Sequence, residues 1–246
     1  MANRIFKHLQ FLPAALILLS AAVFGAAQQP SGSKHNVRPD AAAPASSPTS
    51  ATEGVETSAR FSYEFTQPQF YVRHLVIEHD AHGRGTVTFE RLHEETSFEE
   101  PLDLSPETTA RIAGLWQSLR FLDSNEDYQS DRQYPHLGTM RLKMEQDERK
   151  RTAEFNWTNN KTASALINEY RRIADQAIWL FDISVAREHQ PLDTPKLMEE
   201  LELQLKRDGL ADPLQLIPLL KDISTDEHLP LITRNHALRL LKKIQK

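Results

Sequence analysis

Phe61, Tyr63 and Phe65 alternate with Ser62, Glu64 and Thr66. A period of two sends successive side chains to opposite faces, so this segment is a strand with one face buried. The same pattern recurs and limits the chain to sheet-forming folds over this stretch. Phe70–Glu78 is rich in β-branched and aromatic residues and reads as a second strand. Asp80–Gly85 holds two glycines and reads as a turn, after which Thr86–Leu92 alternates as the returning strand. Thr139–Met144 and Thr152–Trp157 form a second alternating pair around a turn at Glu145–Glu148.

Between and after these hairpins the period changes. Ser105-Pro106-Glu107 supplies an N-cap, a first-turn proline and an acid that complements the helix dipole. Ile112, Leu115, Trp116 and Leu119 then follow at helical spacing. A longer helix is expected from Lys161 to Val185, with Leu166, Ile167, Tyr170, Ile173 and Ala174 on its buried stripe. The order β-β-β-α-β-β-α predicts an α+β fold, an antiparallel sheet of two hairpins covered by helices. Trp116, Phe155, Trp157, Leu166, Tyr170 and Ile173 share the apolar phase of their elements and are expected to pack together. Beyond residue 190 the pattern is helical. Thr194-Pro195 starts one helix that Gly209 ends, Asp212-Pro213 starts another, and a last one runs from about Leu229. The plan is an α+β domain over 59–190 and a C-terminal helical hairpin region over 191–246.

The N-terminal segment carries a different signal. Arg4 and Lys7 precede an apolar run from Phe11 that ends near the small residues Gly25 and Ala27. A charged start, an apolar stretch and a small-residue cleavage site mark residues 1–27 as a signal peptide. The run is short for a membrane span, and Pro13 lies near its start. Residues 28–58, rich in Pro, Ala and Ser, offer little to bury and are expected to be a disordered linker. The expected location is exported, periplasmic or secreted, with contact to a membrane only if the N-terminal segment is retained as an anchor.

Composition excludes several classes. The chain has no cysteine, which rules out disulfides, thiol catalysis and lipid attachment through an N-terminal Cys. Its net charge is −5, and nucleic-acid binding, which depends on Lys and Arg neutralising phosphates, is not expected. No Gly-x-Ser-x-Gly surrounds any serine. Gly83-Arg84-Gly85 leads into a strand, whereas a phosphate-cradling loop leads into a helix, so no cofactor is expected. The acidic run Asp123–Asp131 lacks the central glycine of a calcium loop and reads as a solvated loop.

Phe61-Ser62-Tyr63-Glu64-Phe65, Phe121-Leu122-Asp123-Ser124, His136–Leu142 and Arg234-Asn235-His236-Ala237 resemble stretches of a family of exported proteins of environmental bacteria. The resemblance implies an envelope location and brings no activity or binding residue with it. Leu216–Leu220 with Arg234, Ala237 and Leu241 is similar to a single helical hairpin of the HEAT type. One such unit cannot form a solenoid, because stacked neighbours bury its core. A helical hairpin docked on the preceding domain is expected.

Two functional readings follow. The first is an exported, non-catalytic module that binds a protein or an envelope component. Its expected surface is the His79, His82 and Arg84 hairpin loop with the neighbouring Tyr71 and Arg73, since loops on rigid scaffolds carry binding and Tyr and Arg favour interfaces. The second is a metal-assisted hydrolase using the His74–His93 region, where Glu78 and Asp80 add carboxylates. The spacing opposes it, because positions 74 and 79 fall on opposite faces of a strand.

Overall fold

The structure is a computed structural model describing residues 59–245. The signal-peptide reading of 1–27 and the linker reading of 28–58 lie outside the described residues. The chain forms β1 (Arg60–Thr66), β2 (Val72–Asp80), β3 (Arg84–Arg91) and β4 (Ser97–Asp103), then α1 (Pro106–Leu119). It continues through β5 (Thr139–Gln146), β6 (Arg149–Phe155) and α2 (Lys161–His189). Three further helices complete it, α3 (Thr194–Lys206), α4 (Ile217–Thr225) and α5 (Leu231–Ile244).

All six strands join one antiparallel sheet in the order β4-β3-β2-β1-β5-β6. Tyr63 sits opposite Ile77 on one side and Leu142 on the other, which sets the register of the centre. The period of two holds except at the start of β2, where the ladder with β3 shifts between Val72 and His74. Phe61, Tyr63, Leu75, Ile77, Val87, Phe89, Met140, Leu142 and Phe155 all point toward the helices and are buried. The sheet has one strand more than the five expected, β4. In β4 only Phe98 and Leu102 are large and apolar, and Pro101 interrupts it, so its alternation is faint. Pro lacks a backbone donor and is tolerated at a sheet edge, where β4 lies.

Local chemistry accounts for the element ends. The Ser105 side chain accepts from Thr108 N at the start of α1, and the Asn160 side chain does the same for Ala163 N at the start of α2. At the β2–β3 turn Asp80 Oδ1 accepts from the amides of His82 and Arg84 at 2.8 and 2.9 Å. Gly83 is in the left-handed region (φ 81°), and a Cβ there would lie 2.3 Å from Thr109 Oγ1, so the turn requires glycine twice over.

Two apolar cores share α2. The first joins the inner sheet face, α1 and the N-terminal turns of α2, including Leu166, Tyr170 and Ile173. The second joins Trp179 and Ile183 of α2 with Met198 and Leu201 of α3, Leu220 and Ile223 of α4, and Ala237 and Leu240 of α5. The C-terminal helices thus dock on the far end of α2. Asp212 bridges the regions: its carboxylate accepts from Ser105 and from Thr108 Oγ1 (2.6 Å), and its amide donates to Gln176 Oε1 (2.8 Å).

The Asp123–Asp131 run, expected to be a solvated loop, keeps its acids exposed but is tied as a strap along β6. Arg151 donates to the carbonyls of Phe121 (2.7 Å) and Glu126 (2.6 Å), and its guanidinium lies over the rings of Phe121 and Tyr128. Gln129 Oε1 accepts from Asn156 N, and Ser130 N donates to Trp157 O, both at 2.9 Å. Asp123 pairs with Arg149 and Glu126 accepts from Asn160, so these acids face protein partners.

Candidate functional site

The five residues expected to form one binding surface fall into separate places. Tyr71 precedes β2 and His82 follows it. The nine residues of β2 keep them about 30 Å apart along the strand. Arg73 lies at an irregularity in the β2–β3 ladder and donates to Glu90 at 3.0 Å on the open face of the sheet. His82 and Arg84 are exposed at the β2–β3 turn, where Arg84 lies 3.8 Å from Asp80.

His79 belongs to the core and not to the exposed turn. Its parity matches Leu75 and Ile77, which carries the ring under α1 and α2. Nδ1 lies 2.8 Å from the Asp80 carbonyl, an acceptor, so it carries the proton. Nε2 then accepts from the Tyr170 hydroxyl at 2.9 Å, and Tyr170 accepts from Trp116 Nε1 at 3.0 Å. The chain Trp116–Tyr170–His79–Asp80 satisfies every polar atom in it. Burial lowers the His79 pKa from its ordinary value, opposed by the Asp80 carbonyl and carboxylate. Burial likewise raises the Tyr170 pKa, so both rings are neutral near pH 7.

The remaining histidines of the hydrolase reading diverge. His74 is on the open face, 3.1 Å from Glu64 and 3.6 Å from Glu90. Glu64 also takes Arg141 at 2.7 Å, and Arg141 reaches Glu154 at 2.7 Å, forming a cross-strand row of charges. His93 is exposed in the β3–β4 loop. Among the described residues no group of three or more His, Asp or Glu side chains is placed to hold a metal ion. Among the same residues no helix is long and apolar enough to cross a membrane.

Two depressions mark the sheet domain. One, of about 490 Å³, lies at the turn end and includes Arg60, Glu78, Arg84, Lys143 and Glu145. Its charges largely answer one another, with Lys143 and Lys150 both 2.9 Å from Glu145, which they hold well below the usual carboxylate range, at about 2. The other is a groove of about 760 Å³ between the inner sheet face and α2, at the opposite end. Tyr63, Leu75 and Met140 form its buried floor. Phe65 and Ile178 form its walls, and Phe70 (43 %), Tyr71 (61 %) and Trp157 (45 %) stand exposed at the rim. Convergent aromatic side chains around an apolar floor with few polar groups are the usual form of a ligand site.

Its charged groups come from one stripe of α2. Arg171 and Asp175 are one turn apart, and Ile178 continues the row. Asp175 takes Arg207 at 3.5 Å; burial raises its pKa, against the pull of Arg207 and Arg171. Arg171 lies against the Tyr63 hydroxyl and approaches Met140 Sδ at 3.5 Å. Glycine seats the rim: Gly138 has φ 88°, and a Cβ there would meet the Phe65 ring at 2.7 Å and Thr66 O at 2.8 Å.

The sequence reading found Tyr71 and missed the rest of this groove. Trp157 was expected in the core with Phe155, but β6 ends at Phe155 and the chain bends at Asn156, which turns the indole to the rim. The other five residues of that expected cluster are buried. The available signal was on α2, where Arg171 and Asp175 interrupt an otherwise apolar stripe beside Ala174 and Ile178. No protein-family model and no characterised protein matches the chain.

Proposed function

We propose that this protein is an exported, non-catalytic binding module that holds an envelope component in the aromatic-rimmed groove. The observation that carries the reading is the exposure of Phe70, Tyr71 and Trp157 around one apolar depression. Large aromatic side chains left in water at a concave site are a cost to the free protein and are covered when a ligand enters. The pairing of charges on the open sheet face and the dispersal of the histidines give a catalytic reading no comparable focus. Export is supported by the charged start, apolar run and small-residue site of residues 1–27.

A photo-crosslinking amino acid placed at Tyr71 tests this in cells. It should capture an envelope component, while the same group at Glu99, exposed on β4, should not. Equal labelling at both positions, or none at Tyr71, removes the groove reading. Fractionation that leaves the full-length chain in the cytoplasm removes the export reading.

A further inference from the structure

Resting on the groove reading above, we infer that the occupant is a single-chain amphiphile with a carboxylate head, which Arg171 binds while the apolar tail fills the groove. Charge complementarity favours a carboxylate head. The cations near the groove are matched except one. Arg172 takes Glu169 and Asp208, both at 3.1 Å, and Arg207 takes Asp175 at 3.5 Å. Among the described residues Arg171 has no carboxylate within ion-pair distance. Its hydrogen-bonding neighbours are a thioether and a phenol, and Asp175, one turn away, acts on it from beyond ion-pair distance while taking Arg207, so most of its donors are left for a ligand. A guanidinium presents paired donors that fit a carboxylate.

The sheet backbone disfavours a peptide occupant. The strands that floor the groove, β1, β2 and β5, each have a neighbour on both sides in the sheet order. No free ladder edge runs along the groove, so a peptide laid there would leave its own amides and carbonyls without partners. An alkyl chain carries no such groups. The 760 Å³ volume lies within the range of small-ligand sites.

The test uses the full chain and the fluorescence of Trp157, since Trp116 and Trp179 are buried. Decanoate, decanol and decyltrimethylammonium are titrated below their aggregation concentrations. Decanoate should bind roughly tenfold more tightly than decanol. Arg171→Met should bring decanoate to the level of decanol and leave decanol unchanged, and Arg171→Lys should keep part of the preference. Arg171 is exposed, so both variants should keep the parent circular dichroism and melting temperature. Equal binding of decanoate and decanol, or undiminished decanoate binding in Arg171→Met, overturns the carboxylate assignment and leaves the groove reading standing. Tightest binding of the ammonium probe overturns it in favour of Asp175. Absence of binding by all three probes overturns both readings.

Discussion

His79 holds the last core-facing position of β2, with both ring nitrogens in hydrogen bonds. Folding must keep it neutral, since protonation would break its bond from Tyr170 and place a charge under α2. Its folded pKa lies below the unfolded value of 6.5, because burial disfavours the charged form. The stabilisation is therefore complete above pH 6.5 and is lost as pH falls toward the folded pKa. Urea unfolding across pH 7.5 to 5 should show a loss approaching about 1.4 kcal/mol per pH unit from this residue. His79→Gln removes the titration, and its curve should be flatter over that interval; parallel curves would contradict this account. The parity of His79 was legible in the sequence. Its burial was not, because placing the turn from Asp80 to Gly85 made a histidine at its edge read as solvated. The partner that stabilises it, Tyr170, is 91 residues away.

Elements follow the same division between what repeats and what does not. β1, β2, β3, β5 and β6 were readable because their buried faces recur with period two, and α1 and α2 because their caps and stripes agree. β4 was missed because acids and a proline fill its remaining positions. The strap over β6 was missed for another reason. It is built from bonds between side chains and backbone, and those bonds leave no periodic trace. Arg151 is its centre, joining Phe121 and Glu126 through their carbonyls. Arg151→Met should release the strap and leave the sheet folded. The amides of Ser130 and Asn156 should then exchange about tenfold faster or more, while those of β1 keep their protection. Unchanged exchange at Ser130 would show that the strap is held by its apolar contacts, Tyr128 above all.

At the scale of the molecule, α2 contributes to both cores, with Tyr170 and Ile173 in the first and Trp179 and Ile183 in the second, and should tie them into one cooperative unit. Trp116 and Trp179 report on them separately. In each variant that keeps one of these indoles, with Trp157→Phe added, the fluorescence midpoint in urea should coincide with that of far-UV circular dichroism, and separated midpoints within one variant would mean that the C-terminal helices melt alone. The sheet itself has a further consequence. β6 lies beneath the strap, and β4 carries Glu99, Glu100 and Pro101 along the other margin. Charge and proline at one margin and a covering loop at the other discourage another chain from extending the sheet. High concentration should therefore not drive polymerisation through strand addition, and self-association would have to use faces of the molecule and not the margins of its sheet.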